Sequence, residues 1–218
     1  MKTIIFDFDG TIVYTAHLWI STFDQFEKDY ELPKTPTEKR LNQLTNSVLS
    51  LATEYFNDYE KVRIIFKTPQ SLEMYFNNQT EKNIYEIPPI EGIIEFIEEL
   101  NKRNIPIIIA SSGRRNHIEE YLNKWKIKVD DIVTSVDVLK PKPNVDIYIE
   151  AMKRSHLDIQ PSDCLIFEDN PKPALNASKY GFNVCMIKYK NTTIFKESFD
   201  FTSFIIYDYI SIFDKIKL

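Results

Sequence analysis

Two aspartates one residue apart, Asp7 and Asp9, stand in the segment IIFDFDGTI at residues 4–12. An apolar run leads into them, so they fall where a buried strand ends, and a buried carboxylate without a partner is costly. Three more polar groups follow apolar runs in the same way. Ser111-Ser112-Gly113 ends IPIIIA, Lys140-Pro141-Lys142-Pro143 follows a third run, and Glu168-Asp169-Asn170 ends CLIF. Acids, small hydroxyls and a lysine gathered in one place make a site for a divalent cation together with a phosphate. Hard carboxylate oxygens suit Mg²⁺. The cation neutralises the acids, and the lysine and backbone N–H groups hold the remaining charge of the phosphate.

The elements that must bring these groups together are short. Apolar runs at residues 3–6, 105–110, 132–136, 164–167 and 184–187 are nearly continuous rather than alternating. That pattern predicts strands buried on both faces of a parallel sheet. Between them lie helical spacings: Ile93, Ile97 and Leu100; Ile118, Tyr121, Leu122 and Trp125; Tyr148 and Met152. Strand and helix alternate, which predicts an α/β fold with a doubly wound, Rossmann-like parallel sheet. Ligands of such sheets bind at the carboxyl ends of the strands, where all four polar groups are expected.

Residues 15–88 read differently. They hold no glycine, and Trp19, Phe23, Phe26 and Tyr30 follow a +4, +3, +4 spacing, with Val48, Leu51, Tyr55, Leu72 and Phe76 continuing the helical theme. The Pro88-Pro89 pair marks the return, because each proline restricts the residue before it. Residues 1–14 and 89–218 are therefore expected to form the α/β core, and residues 15–88 an inserted α-helical module.

Composition narrows the function classes. The chain has 218 residues, 43% hydrophobic and 27% charged, a globular balance. A net charge of −5 argues against nucleic acid or an anionic membrane as partner, since both reward a basic surface. No apolar run has the length of a membrane span, and Asp7 and Asp9 interrupt the one apolar stretch near the start, so a cytoplasmic protein is expected. Cys164 and Cys185 each sit inside an apolar run and read as buried core thiols. His17, His117 and His156 lie in no motif and read as surface or packing residues.

The order and wording of the four groups resemble the haloacid dehalogenase superfamily, in its branch of phosphatases and β-phosphoglucomutase-like enzymes with a helical cap. DFDGT is similar to the first motif, DxDGT; Ser111 to the second; Lys140 in KPKPN to the third, usually KPxPD; and FEDN to the fourth. The resemblance implies a Mg²⁺-dependent phosphatase acting on a small phosphorylated metabolite through an aspartyl-phosphate. By that resemblance Asp7 is the nucleophile and Asp9 the general acid and base. Asp7, Asp169 and the backbone carbonyl of Asp9 are the metal ligands, and Glu168 acts through a water or by orienting its neighbours. Ser111, Ser112 and Lys140 hold the phosphate, beside the backbone N–H groups of Phe8 and Asp9, while Lys142 reads as a solvated loop residue.

The sequence also departs from the pattern. Tyr14 stands where most relatives have aspartate, Leu139 where glycine is usual, and Asn144 where the third motif has aspartate. Dehalogenation is disfavoured, because dehalogenating relatives lack the second aspartate. A phosphomutase of the β-phosphoglucomutase type is the alternative, and a non-catalytic binding module on the same fold a further one. Relatives of the mutase type carry a histidine twelve residues after the nucleophile, where this chain has Trp19. A monomer or weak dimer is expected.

Overall fold

The computed structural model describes residues 1–43, 47–188, 200–210, 212 and 216. The chain divides into two compact units, Met1–Tyr14 with Pro88–Leu218, and Thr15–Ile87. Strand β1 (Thr3–Phe6) leads into the helices of the second unit: α1 (Ala16–Asp29), α2 (Thr37–Gln43), α3 (Val48–Asp58), α4 (Glu60–Phe66) and α5 (Pro69–Ile84). The first unit resumes with α6 (Ile93–Lys102), β2 (Ile107–Ser111), α7 (Arg115–Trp125), β3 (Asp131–Thr134) and α8 (Asp146–Lys153). It continues with β4 (Cys164–Glu168), α9 (Pro171–Tyr180), β5 (Asn183–Ile187) and β6 (Phe204–Ile206).

The strands form one sheet in the order β3-β2-β1-β4-β5-β6, and every pairing is parallel. The order reverses at β1, which lies between β2 and β4. Asp7 therefore follows a strand flanked by the strands that end in Ser111 and Glu168, at the switch point where α/β sheets bind ligands. Alternate residues of β1 face opposite layers, as the pleat requires. Ile5 joins Ile108, Ala110 and Ile166 in a core with Ile147, Tyr148 and Ala151 of α8 and Ala174 and Ala177 of α9. Phe6 turns the other way and stacks on Phe167 at 4.9 Å, with Phe96 of α6 edge-on at 6.0 Å.

Two differences from the sequence expectation have local causes. The third strand stops at Thr134, not at residue 136. The Asp137 carboxylate accepts from both the backbone N and the Oγ1 of Thr134, at 2.7 and 2.9 Å, which folds residues 135–137 into a single turn. Val136 is left 91% exposed, although its type reads as core. The sixth strand was not expected from the sequence. It is three residues long, too short to carry a periodic signal.

The second unit is helical and its core is aromatic. Phe23, Phe26, Leu51, Tyr55, Val62, Leu72 and Phe76 are buried together. The Phe26 ring lies 4.8 Å from Phe76, 5.2 Å from Tyr55 and 4.7 Å from Tyr30. Trp19 stacks on Phe23 at 5.8 Å, so it belongs to this packing.

Candidate active site

Carboxylates at the ends of two neighbouring strands define the site. Phe6 pairs with Phe167, so the residues that follow, Asp7 after β1 and Glu168-Asp169 at and after the end of β4, emerge side by side. One oxygen from each of Asp7, Glu168 and Asp169 lies within 4.8 Å of the others. Gly10 allows the approach. It has φ +83°, a region that favours glycine, and a Cβ there would overlap the Asp169 carboxylate. Asp9 and Ser111 approach one another across Gly113: a Cβ on that glycine would lie 3.2 Å from Ser111 Oγ and 3.7 Å from Asp9 Oδ2. Ser111 is buried, and its hydroxyl accepts from the Gly113 N–H at 2.9 Å. Ser112 is exposed on the turn that follows.

The lysine expected at 140 is at 142. Lys142 Nζ lies 2.5 Å from Asp7 Oδ1 and 2.7 Å from Glu168 Oε2, and its side chain is only 9% exposed. Lys140 is exposed, and borders an open surface depression with Asn144 and Lys179. The sequence repeats Lys-Pro twice in four residues, so either lysine satisfies the first half of the motif. The helix that follows decides between them. Four residues after Lys142 stands Asp146, the first residue of α8, whereas four after Lys140 stands Asn144 in the loop. With Lys142 as the motif lysine, the aspartate missing at 144 is restored at 146, and Tyr148 two residues later reaches the site.

Tyr148 was read from the sequence only as a helix-face residue. It is fully buried, its hydroxyl donates to Glu168 Oε2 at 2.7 Å, and its ring centre is 5.2 Å from Lys142 Nζ. Glu168 also accepts from the Asn170 N–H, on Oε1, at 3.1 Å. Both of its oxygens are thus engaged, with Lys142 and Tyr148 sharing Oε2. Among the described residues Asp169 accepts no hydrogen bond, which leaves its oxygens open.

The electrostatics follow from crowding. Burial, then the charge of Glu168, pushes the Asp7 carboxyl up to about 7, against the pull of Lys142. Burial raises Asp169 well above the usual carboxylate range, and the charges of Asp7 and Glu168 add to it. Burial works against the Lys142 ammonium, but Asp7 and Glu168 outweigh it and hold the lysine charged. Burial and then Glu168 raise the Tyr148 hydroxyl well above its ordinary value, so it stays a donor.

Among the described residues, Asp7, Glu168 and Asp169 thus face a single ammonium. Their donor atoms are all hard oxygens, one from each residue lying within 4.8 Å of the others. These residues fit a hard divalent cation such as Mg²⁺, and Asp7 and Asp169 could supply side-chain ligands to it.

Comparisons with known proteins place the chain in a family. The family model of the haloacid dehalogenase-like hydrolases matches residues 4–187. The bifunctional riboflavin kinase/FMN phosphatase of Arabidopsis thaliana is 29% identical over 179 residues, 81% of this chain but 45% of that protein, so the chain spans less than half its length. The β-phosphoglucomutase of Bacillus subtilis is 26% identical over 78% of this chain and 75% of its own. Among solved structures, CbbY of Rhodobacter sphaeroides in complex with phosphate superposes over 100% of both chains with a TM-score of 0.80 at 17% identity, a likeness of fold.

Proposed function

The chain belongs to the haloacid dehalogenase-like hydrolases, and from that premise we propose a Mg²⁺-dependent phosphatase that hydrolyses a small phosphorylated metabolite through an aspartyl-phosphate on Asp7. The observation that carries the reading is the Lys142 ammonium bound to Asp7 Oδ1 at 2.5 Å inside a cluster of carboxylates at the switch point of the sheet. A lysine so placed fixes the carboxylate's orientation and screens its charge from an arriving phosphate.

The steps balance within the chain's own groups. The second oxygen of Asp7 attacks phosphorus, and the bond from phosphorus to the ester oxygen breaks. Asp9, beside Ser111, gives its proton to the departing alkoxide. Water then attacks the acyl-phosphate, Asp9 takes back a proton, and phosphate leaves with Asp7 restored. Ser111, the N–H groups after β1 and Lys142 hold the phosphate oxygens, and Ser112 borders them. Asp7 and Asp169 would hold Mg²⁺, which would supply charge neutralisation for the acids and the incoming anion. Glu168 orients Lys142.

A phosphatase is favoured over a mutase by Trp19. It stands twelve residues after Asp7 and is packed on Phe23, and an indole donates one N–H but exchanges no proton near neutral pH. Phosphate release is measured with Mg²⁺ across sugar phosphates, phosphoglycolate, FMN and nucleotides. Free phosphate from one of these with no isomerised product is expected. No release from any, or glucose 6-phosphate formed from β-glucose 1-phosphate faster than phosphate, would contradict the reading.

A further inference from the structure

Glu168 Oε2 serves two donors at once, Lys142 Nζ at 2.7 Å and Tyr148 OH at 2.7 Å. The acid is 2% exposed, so no solvent replaces a lost donor. The third contact of Glu168, from the Asn170 N–H, engages the other oxygen and is fixed by the backbone. Tyr148 sits on α8 four residues before Met152 and one turn before Ala151, and its ring is locked in the core with Ile147, Ala151 and Ile166. The hydroxyl is therefore a rigid donor, while the lysine is a flexible stem on a loop. The ring also lies under the ammonium at 5.2 Å, a position that favours a cation. Tyr148 meets Lys142 along two routes, through the shared oxygen and across the face of its ring.

We propose that Tyr148 is a positioning residue: by donating to Glu168 it keeps that carboxylate turned to Lys142, which in turn holds the ammonium on the attacking aspartate. The inference rests on the phosphatase reading. It also accounts for the division of labour among the three acids. With Oε2 occupied twice and Oε1 by Asn170, Glu168 is withheld from the cation and serves the lysine, and Asp7 and Asp169 remain as ligands.

The test uses Tyr148→Phe, which keeps the ring, its packing and its cation–π contact and removes only the donor. With p-nitrophenyl phosphate and saturating Mg²⁺, kcat is expected to fall about tenfold with KM within about twofold, the scale of one hydrogen bond to a charged group. In ¹⁵N-lysine-labelled protein without substrate, the wild type is expected to show a slowly exchanging ammonium resonance that Lys142→Met removes. Tyr148→Phe is expected to broaden or lose it while the thermal midpoint stays within a few degrees. A double-mutant cycle with Glu168→Gln separates positioning from packing, because the double variant is then no slower than Glu168→Gln alone. An unchanged kcat and ammonium resonance in Tyr148→Phe would overturn the proposal. So would a loss of rate fully additive to that of Glu168→Gln. If the wild type itself releases no phosphate from any monoester, the phosphatase reading fails, and the ammonium resonance still decides whether Tyr148 holds Lys142.

Discussion

Each unit of the molecule buries a basic side chain among acids, and the two clusters are built on opposite terms. In the helical unit, Arg40 lies 2.7 Å from Glu27 and 3.3 Å from Asp24, and also donates to Gln43 and Tyr55. Glu27 in turn accepts from Thr35 N, Thr35 Oγ1 and Tyr55 OH. Burial works against its charge, but those donors outweigh burial and hold its carboxyl below the usual range. In the sheet unit, Lys142 faces Asp7, Glu168 and Asp169, and there burial and like charge win: Asp7 and Asp169 are pushed up. One cluster has its charges paired, with only the buried Arg40 Nε left without a hydrogen-bond partner, and it ties α1, α2 and α3 together. The other sets three acids against one ammonium among the described residues, so it is short of positive charge. Charge satisfaction, more than burial, separates scaffold from site.

The largest effects should come from the incomplete cluster. Asp7→Asn keeps the shape and removes the attacking charge, so kcat should fall on the order of 10⁴-fold, about 5 kcal/mol of barrier. Its thermal midpoint should not fall, since a crowded charge has gone. Lys142→Met should cost on the order of 10³-fold and Lys140→Met less than about twofold, measured on the same phosphomonoester. Equal losses at the two lysines would break the distinction drawn between them.

The charge-paired cluster should respond in stability. Arg40→Met strands Glu27, 2% exposed, without its cation and should cost about 3–5 kcal/mol in denaturant unfolding. Replacing both partners, Glu27→Leu with Arg40→Met, should recover most of that, because the stranded charge is gone. Failure of the double variant to recover would mean that the cluster contributes more than mutual satisfaction.

Adding Mg²⁺ should sharpen the contrast by a smaller amount. It should raise the unfolding free energy by about 2.7 kcal/mol at a hundredfold excess over its dissociation constant. Asp169→Asn should abolish most of that gain and Arg40→Met should leave it intact. EDTA should stop turnover and Mg²⁺ restore it.

The smallest effect is in pH. Glu27 is held below the ordinary glutamate value of about 4.3, so its stabilisation is fully present above that value and is lost as pH falls below it. The wild type should lose stability below about pH 4.3 more steeply than Glu27→Gln does, measured by urea midpoints between pH 3 and 7. Parallel curves would show that Glu27 is not held by its donors.

Most of the sheet was legible because its signal is simple. Residues such as Ile4, Ile5, Phe167 and Val184 form continuous apolar runs, and the polar groups that end them are conspicuous. Asp7, Asp9, Ser111, Glu168 and Asp169 follow from strand ends alone, and the structure brings them together. The lysine was misread because Lys140-Pro141 and Lys142-Pro143 are the same words, and only the start of α8 at Asp146 fixes which one faces the acids. Tyr148 was hidden for a different reason: a buried tyrosine on an apolar helix face reads as core, and its hydroxyl partner is twenty residues away in sequence. Thr134 and Asp137 ended a strand early through a side-chain bond that apolar pattern does not register. In the helical unit, the aromatic stripe of Phe23 and Phe26 was readable, but the pairing of Glu27 with Arg40 was not, since charged residues on a helix read as its solvated face.

The central claim is that Asp7 carries the phosphoryl group. It is tested most directly by quenching the enzyme during turnover of a good phosphomonoester, reducing with borohydride and mapping peptides by mass spectrometry, since an acyl-phosphate is reduced to the alcohol. The account predicts homoserine at position 7 in the wild type and none in Asp7→Asn. Homoserine at another aspartate, or brisk phosphate release with no reduced residue at position 7, would contradict it.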